Sequence, residues 1–256
     1  MTRTAPARAS TDPSASPAPR PPRSVGTVLV TGAASGLGRA VASAVAAVGG
    51  RPLLVDRVDS RDAVGPELAA APTAVVDLAD TRAAEQAVAE LAARAGTLDA
   101  VVTAAGTDRC GRISEVPGPE WDRVVEVNLL GTAAVIRAAL PRLRESRGRV
   151  VTVASTLGLR ALSDASAYCA SKFGVIGLSR ALAAELAGEV GFTTLIPGGM
   201  DTAFFDDRTE QYRPGPDAQL NDPREVADAV LYALTRSPGC EVREMVICPA
   251  TEPSWP

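Results

Sequence analysis

Residues 28–38 read VLVTGAASGLG, an apolar run that passes directly into a glycine-rich turn. The apolar run covers residues 25–30 and predicts a strand buried on both faces, while the Ala-rich segment 39–48 predicts a helix. In such a strand–turn–helix unit, backbone N–H groups and the helix N-terminus can approach a pyrophosphate. A tight turn without a ligand has the same glycines, so this segment by itself predicts a β–α unit and leaves its ligand open.

Apolar runs and helix-length, Ala-rich segments alternate along the rest of the chain. Further strands are predicted at residues 53–55, 74–76, 100–103, 150–154, 192–196 and 245–247. Further helices are predicted at residues 82–94, 121–143, 167–186 and 223–235. This alternation predicts an α/β domain with a doubly wound parallel sheet, in which each strand is buried on both faces and ligands bind beyond the carboxyl ends of the strands.

The length of the chain predicts one folded domain. It has 256 residues, of which 46% are apolar, and α/β sheets of this length commonly form a single domain. Residues 1–24 are mostly Pro, Ala, Ser, Thr and Arg without apolar periodicity, so they are predicted to form a disordered tail. Residues 25–256 are predicted to form the domain.

The net charge and the cysteine content limit the kinds of ligand, partner and location that the sequence predicts. The formal charge of −4 gives no basic field for nucleic acid or an anionic membrane, so a small molecule is the expected ligand. The chain has no unbroken apolar run of about 18 residues, and no membrane span is expected. The four cysteines lack CxxC spacing, which predicts neither a metal site nor a disulfide framework and favours a cytoplasmic location.

Histidine is absent from the whole chain. Its absence excludes Ser-His-Asp and Cys-His catalysis and HExxH zinc sites, so proton transfer falls to a carboxylate, tyrosine, lysine or cysteine. Tyr168 and Lys172 lie four residues apart in a predicted helix, which places both on one face. Lys172 is the only lysine, whereas the other 25 of the 26 basic residues are arginines. We interpret Tyr168 as the acid or base of a reaction at a carbonyl or alcohol, with Lys172 lowering the phenol pKa.

Two polar residues are expected beside this pair. Ser155 follows the predicted strand 150–154, at the edge of the sheet where a substrate should lie, and its hydroxyl can hydrogen-bond the substrate oxygen. A turn-forming serine is the other interpretation. Asn128 lies inside the predicted helix 121–143, where an amide needs hydrogen-bond partners, and it is expected to bend the helix or to hold a water.

Two acidic residues close the strands that follow the glycine-rich turn. Asp56 ends the second strand, where a carboxylate can accept hydrogen bonds from an adenosine ribose, and this position favours NAD over NADP. The neighbouring Arg57 softens the repulsion of a 2′-phosphate and leaves NADP open. Asp77 ends the third strand and is expected either to contact the adenine or to cap the following helix.

Together these motifs resemble the classical short-chain dehydrogenase/reductase family over about residues 25–248. The resemblance rests on TGxxxGxG at 31–38, on YxxxK at 168–172 and on the Pro-Gly turn at 197–198. It also rests on the positions of Asp56, Asp77, Asn128 and Ser155. It implies a single-domain Rossmann fold and an NAD(P)-dependent oxidoreductase that acts on a CH–OH group. The implied catalytic tetrad is Asn128, Ser155, Tyr168 and Lys172.

The resemblance also implies roles for single residues. Asn128 would hold a water in a proton relay that ends at Lys172, Met200 would hold the nicotinamide carboxamide through its backbone, and Thr202 would lie near the pyrophosphate. A homodimer or homotetramer would form through the helices around 121–143 and 167–186. The expected cofactor-binding residues are Gly32, Ser35, Gly36, Leu37, Gly38, Asp56, Arg57, Asp77, Leu78, Ala105, Gly106, Tyr168, Lys172, Pro197, Gly198, Met200 and Thr202.

Two segments depart from the family pattern. The usual Asn-Asn-Ala-Gly after the fourth strand is Thr103-Ala104-Ala105-Gly106, whose small residues still permit close approach of a cofactor. Residues 242–249 lack the common Asp-Gly-Gly and resemble the subgroup that oxidises short 3-hydroxy acids. That subgroup often uses NADP, whereas Asp56 favours NAD. Substrate contacts are expected from residues 107–112, 157–164 and 199–220.

Three functions are open at this point. The first is interconversion of a secondary alcohol and a ketone with NAD(H), on a small polar, hydroxy-acid or secondary-metabolite substrate. The second is an NADPH-dependent reductase of 3-oxoacyl groups on an acidic carrier protein, docked by Arg142, Arg144, Arg147 and Arg149; a solvated helix end explains this cluster as well. The third is a non-catalytic nucleotide sensor, which the intact catalytic residues disfavour.

Overall fold

The computed structural model describes residues 23–59, 64–252 and 254–255. The predicted tail lies outside the described residues except for Arg23 and Ser24. The Arg23 backbone N–H donates to the Thr235 carbonyl (3.1 Å), and its guanidinium donates to the Ser146 carbonyl (3.0 Å). The domain therefore includes Arg23, ahead of the first strand.

In the part of the chain that the structure describes, seven parallel strands form one sheet in the order β3-β2-β1-β4-β5-β6-β7. They are β1 (Thr27–Thr31), β2 (Arg51–Asp56), β3 (Thr73–Val75), β4 (Ala100–Thr103), β5 (Arg149–Val153), β6 (Gly191–Pro197) and β7 (Glu244–Ile247). Each strand lies where the sequence predicted it, to within two residues at either end. The doubly wound parallel sheet in a single domain, a Rossmann-like fold, is confirmed.

The described residues form six α-helices, which cover the sheet. They are α1 (Gly36–Ala47), α2 (Thr81–Ala95), α3 (Gly118–Val125), α4 (Thr132–Ser146), α5 (Ser166–Glu185) and α6 (Pro223–Leu234). A π-helical segment, Glu126–Gly131, joins α3 to α4 without a break, so the helix predicted at 121–143 contains a wider turn in its middle. Short 3-10 helices occur at Pro66–Leu68, Thr156–Gly158, Ala203–Phe205 and Glu210–Tyr212.

Different helices cover the two faces of the sheet, because successive strand residues point to opposite faces. Val28 and Val30 of β1 share a core with α1 and α6, to which these helices contribute Val41 and Val230. Leu29, between them, packs on the other face with α2 and α4. β1, β4 and β5 are buried along their whole length, as the sequence predicted for strands covered on both sides.

The two edge strands are not buried on both faces, so the prediction of full burial was wrong for them. Val75 in β3 is 55% exposed, and Val246 in β7 is 38% exposed. An edge strand pairs on one side only, and the helices of both layers pack over the central strands. Apolar residues at these edges therefore remain in contact with solvent.

The continuous helical segment Gly118–Ser146 is long and apolar enough to cross a membrane by length and composition alone. The expectation of no membrane span rested on unbroken apolar runs, whereas charged residues interrupt this segment, and that expectation stays a prediction. Half of the apolar window in this segment is buried inside the protein. Val135, Ile136 and Leu143 form part of the core on the α2 and α4 face.

The order of the strands reverses between β1 and β4. The chain passes from β1 outward through β2 to β3, and then returns to β4 on the other side of β1. In sheets of this kind, the crevice that receives ligands lies at this point, beyond the carboxyl ends of the strands. The turn after β1 and the ends of the neighbouring strands therefore converge on one side of the sheet.

Candidate active site

The glycine-rich turn forms a close-packed corner between β1 and α1. Ser35 precedes α1 in an extended conformation, and the helix begins at Gly36. A Cβ atom on Gly38 would lie 2.2 Å from the Gly32 carbonyl oxygen, so the corner closes only with glycine at this position. This geometry lets backbone N–H groups and the N-terminus of α1 approach a phosphate.

One cavity of about 930 Å³ extends from this turn to the predicted catalytic residues. Its volume lies within the range of small-molecule sites and suits an extended ligand. All of the residues predicted to contact the cofactor line it: Gly32, Ser35, Gly36, Leu37 and Gly38 from the turn; Asp56, Arg57, Asp77, Leu78, Ala105 and Gly106 from the segments after β2, β3 and β4; and Tyr168, Lys172, Pro197, Gly198, Met200 and Thr202 from α5 and the segment after β6.

Asp56 has a structural role that the sequence did not predict. One of its carboxylate oxygens accepts a hydrogen bond from the Ala34 N–H (2.9 Å), and the other accepts one from the Val58 N–H (3.3 Å). The residue thus fastens the glycine-rich turn to the end of β2. It also lines the cavity, where free lone pairs of a carboxylate can accept ribose hydroxyls.

Asp77 lines the cavity but does not cap α2. The N-cap is Asp80, whose side chain accepts from the N–H groups of Arg82 and Ala83. Asp77 instead forms an ion pair with Arg123 of α3 (2.8 Å). Partial burial opposes its ionisation, but hydrogen bonds from the Ala79 N–H and from Arg123 outweigh this effect and hold the pKa of Asp77 below its ordinary value.

Tyr168 and Lys172 lie on one face of α5, as their spacing predicted, and both line the cavity. The Ser155 hydroxyl forms a hydrogen bond with the Tyr168 hydroxyl. The same Ser155 oxygen accepts from the Leu157 N–H (3.1 Å) and caps the 3-10 helix Thr156–Gly158. The two interpretations of Ser155, as a site residue and as a turn residue, therefore apply together.

Lys172 is buried beneath the cavity, with 4% of its surface exposed. Its Nζ donates to the Val153 carbonyl at the end of β5 (2.9 Å) and lies 5.6 Å from the centroid of the Tyr168 ring. Burial lowers the pKa of Lys172 to about 8. At neutral pH the ammonium is still charged but close to releasing its proton, which suits a group that passes protons on.

The Tyr168 phenol is held in its protonated form by the protein alone. Burial raises its pKa above the ordinary value, and the hydrogen bond from Ser155 offsets only part of this effect. The sequence predicted that Lys172 would lower the pKa of Tyr168, but removal of the phenol from water dominates. A positively charged ligand ring beside the phenol would lower the pKa again.

Asn128 lies in the π-helical segment Glu126–Gly131 and is 1% exposed. Its Oδ1 accepts from the Thr107 N–H (2.8 Å), and its Nδ2 donates to the Thr107 carbonyl (2.9 Å) and to the Ser171 hydroxyl (3.0 Å). The amide therefore joins the helical segment to the chain after β4 and to α5. The wide turn of the π-helix takes the place of the bend that the sequence predicted.

Further cavity residues were not predicted individually. Asp108, Cys110 and Arg208 lie in segments from which substrate contacts were expected, but no motif marks them. Glu252 and Ser254 lie beyond residue 248, where the family resemblance ends. Only the topology of the sheet could have indicated these residues from the sequence. A segment that follows a parallel strand emerges at the same edge of the sheet as the site.

These features fit a nicotinamide dinucleotide. The corner at Gly38 admits a phosphate to the backbone, and Asp56 faces the cavity at the end of β2. Tyr168 and Lys172 line the other part of the cavity, where they would provide a proton donor and a relay. The residues of the turn and Asp56 would hold the adenosine diphosphate part, and those around Met200 and Tyr168 would hold the nicotinamide.

Comparison with known proteins agrees with this chemistry. The model of the short chain dehydrogenase family matches residues 26–213. An uncharacterized oxidoreductase of Staphylococcus aureus (strain N315) is 33% identical over 226 residues, which cover 86% of this chain and 96% of that relative.

Solved structures share the fold. An alcohol dehydrogenase from the archaeon Thermococcus sibiricus, complexed with 5-hydroxy-NADP, matches with a TM-score of 0.77 and 27% identity, covering 86% of this chain and 95% of that one. A short chain dehydrogenase from Mycobacterium paratuberculosis bound to NAD matches with a TM-score of 0.75 and 23% identity, covering 88% and 96%. Since the family model spans most of the folded domain and the sheet has the same architecture, the chain belongs to the short chain dehydrogenase family and is an oxidoreductase of that type.

Proposed function

We propose that this chain interconverts a secondary alcohol and a ketone with NAD(H), on a small polar, hydroxy-acid or secondary-metabolite substrate. The observation that carries the proposal is that Ser155, Tyr168 and the buried Lys172 line the same cavity, which begins at the glycine-rich turn. Two adjacent hydroxyls of this kind can hold one substrate oxygen and exchange a proton with it.

Each residue has a defined task in the oxidising direction. Tyr168 takes the proton of the substrate hydroxyl, and the carbon that bears this hydroxyl loses a hydride. A ketone remains. The bound nicotinamide supplies the acceptor for that hydride, or the donor in the reverse direction. Ser155 donates a hydrogen bond to the substrate oxygen as it gains alkoxide character. Lys172, with a pKa of about 8, releases its own proton first and then recovers one from the tyrosine side, so that the ammonium is restored.

Asp56 supports NAD as the preferred cofactor. A carboxylate at the end of β2 accepts hydrogen bonds from ribose hydroxyls, whereas it would repel a 2′-phosphate. Arg57 follows it and also lines the cavity. The positive charge of Arg57 acts on Asp77, whose pKa it helps to lower after the larger effects of burial, the Ala79 N–H and Arg123. NADP therefore remains the alternative cofactor.

We propose that substrate specificity depends on a buried ion pair. Arg208 Nη2 lies 2.6 Å from Asp108 Oδ2, and the side chains are 18% and 3% exposed. The Arg208 guanidinium lies 4.6 Å from the centroid of the Phe205 ring, and the Phe204 ring lies 5.7 Å from that of Tyr168. The pair thus fastens the segment after β6 to the segment after β4, with an aromatic ring beside the catalytic tyrosine.

The second candidate, an NADPH-dependent reductase that docks a carrier protein, has less support from its predicted arginine cluster. Arg142 pairs with Glu145 (3.0 Å), and Arg144 pairs with Glu189 (2.7 Å). Arg149 is 7% exposed and donates to backbone carbonyls, among them that of Arg236 (2.7 Å). Three of the four arginines of the predicted cluster are therefore engaged within the chain, which favours a small free substrate.

We also propose that the chain forms a homo-oligomer, a dimer or a tetramer. Leu130 and Phe173 are 48% and 45% exposed, and they lie on the helical segments from which an interface was expected. Their apolar surfaces support contact with a second copy.

Replacing the catalytic hydroxyl tests the proposed reaction. Tyr168→Phe is expected to lower turnover by roughly 10²- to 10⁴-fold, because the proton donor is lost, while the Kd for NAD⁺ changes by less than about three-fold. The measurement is a panel of secondary alcohols with NAD⁺ and of ketones with NADH. Tyr232→Phe is the matched control, since Tyr232 lies on α6 and is 51% exposed. Full activity of Tyr168→Phe would contradict the proposal.

The cofactor preference is tested by removing one charge. Asp56→Asn keeps an oxygen for the Ala34 N–H but loses the charge, so the ratio of affinities for NAD⁺ and NADP⁺ is expected to fall by roughly ten-fold. Binding is measured by calorimetric titration of both cofactors. Asp122→Asn, at an exposed position of α3, should leave the ratio unchanged. An unchanged ratio in Asp56→Asn would remove the basis for the NAD assignment.

The ion pair is tested with a double-mutant cycle on the free energy of unfolding. Asp108→Asn and Arg208→Met are each expected to cost about 1–3 kcal/mol, because each leaves a buried charge unpaired, and the double variant should cost less than the sum. The control is the exposed pair of Arg109 and Glu120, whose side chains are 47% and 46% exposed; its removal should cost less than about 1 kcal/mol. Strictly additive effects at Asp108 and Arg208 would show that the pair has no coupling.

A further inference from the structure

The chain after β7 returns to the cavity and contacts the segments that follow β5 and β6. Ser254 is 7% exposed, and its hydroxyl is hydrogen-bonded to that of Thr156 (2.7 Å), the residue after Ser155. Glu252 Oε2 accepts from the Gly199 N–H (2.8 Å). Glu252 and Ser254 both line the cavity that contains Tyr168 and Lys172. The end of the chain therefore forms part of the wall of the site.

Glu252 packs directly against the turn that follows β6. A Cβ atom on Gly198 would lie 2.2 Å from Glu252 Oε2, so the carboxylate occupies the space that any other residue at 198 would need. Its other oxygen accepts from the Ser254 N–H (3.1 Å) and from the Ser254 hydroxyl (2.6 Å). These contacts fix both the carboxylate and the backbone of Gly198 and Gly199.

The Glu252 carboxylate keeps its negative charge, and no described residue forms an ion pair with it. Burial opposes its ionisation, but the hydrogen bonds from Ser254 and Gly199 outweigh this effect and hold its pKa below the ordinary value. No basic side chain of the described ranges 23–59, 64–252 and 254–255 contributes to that lowering. By contrast, Asp108 in the same cavity is neutralised by Arg208.

On the proposed function, the residues around Tyr168 and the turn after β6 would hold the redox-active ring of the cofactor. In the proposed reaction, Tyr168 exchanges a proton with the substrate oxygen, and hydride passes to or from the carbon that bears this oxygen. The ring would therefore have to contact that carbon. β5 and β6 are adjacent and in register, with the Ala154 N–H donating to the Leu195 carbonyl (2.8 Å). Ser155 and the Gly198 turn therefore emerge side by side, and Glu252 lies on that turn.

Resting on the proposed function, we propose that Glu252 positions the turn Gly198-Gly199 and that its charge makes the site bind oxidised nicotinamide in preference to reduced. The oxidised ring carries one positive charge and the reduced ring carries none, whereas the remainder of the cofactor is the same in both. An unpaired carboxylate in a partly water-excluded cavity therefore stabilises only the oxidised form. Lys172 acts in the opposite direction, but its charge is the same in variants of Glu252.

The test compares the dissociation constants of NAD⁺ and NADH in the full chain. Glu252→Gln has the same shape and keeps an oxygen for the Gly199 N–H, but it has no charge. The ratio of affinities, oxidised over reduced, is expected to fall at least about three-fold, mostly through weaker binding of NAD⁺. NADH is titrated by its own fluorescence and NAD⁺ by calorimetry, so the result does not require a known substrate.

Two further variants separate charge from packing. Ser254→Ala removes hydrogen bonds from the same network but keeps the charge, so it should leave the ratio within about 1.5-fold of the original chain, even if both affinities fall. Glu252→Asp keeps the negative charge, so it should also keep most of the preference for NAD⁺ over NADH. If Glu252→Gln does not fold, as judged by thermal unfolding, Glu252→Ala takes its place.

The outcomes distinguish this inference from the proposed function. An unchanged ratio in a folded, charge-free variant at position 252 would overturn the role of Glu252, while binding of both cofactor forms by the original chain would still support the proposed function. Failure of the original chain to bind either NAD(H) or NADP(H) would overturn the proposed function itself, and the inference with it.

Discussion

The Lys172 ammonium is buried at the carboxyl end of β5, where it donates a hydrogen bond of 2.9 Å to the Val153 carbonyl. An ammonium in such a place is costly unless the surrounding chain provides acceptors, and its burial lowers the Lys172 pKa to about 8. The bond ties α5 to the central sheet and thereby fixes Tyr168, one turn earlier, over the end of the strand. This contact holds the active-site geometry together with the hydrogen bond between Thr152 of β5 and Ser179 of α5 (2.7 Å).

The other parts of the site are arranged around that contact. Asn128 joins the π-helical segment to Thr107 and to Ser171, the residue before Lys172, so the chain after β4 is fixed relative to α5. Ser155 reaches Tyr168 from the end of β5. Parallel strands place all of these carboxyl ends at one edge, so that a single cavity contains both the residues proposed to bind the cofactor and those proposed to act on the substrate.

Features that depend on local pattern could be predicted from the sequence, and those that depend on distant contacts could not. The strands followed from apolar runs, and the shared face of Tyr168 and Lys172 followed from helical spacing. The pair of Asp108 with Arg208 joins residues 100 positions apart, and no periodicity marks it. Glu252 lies past the end of the family resemblance. The direction of the Tyr168 pKa shift was misjudged because burial, which dominates it, is not visible in spacing.

The chain has a single lysine, so the burial of Lys172 against Val153 can be tested at one atom. Labelling with ¹⁵N-lysine gives one side-chain Nζ signal in an NMR spectrum, and its position can be followed as the pH is raised. Burial of Lys172 against Val153 predicts a titration midpoint near 8, against about 10.4 for the same signal after unfolding in denaturant. A midpoint in the folded chain close to that of the unfolded chain would show that Lys172 is exposed to water, and would contradict the account of the site.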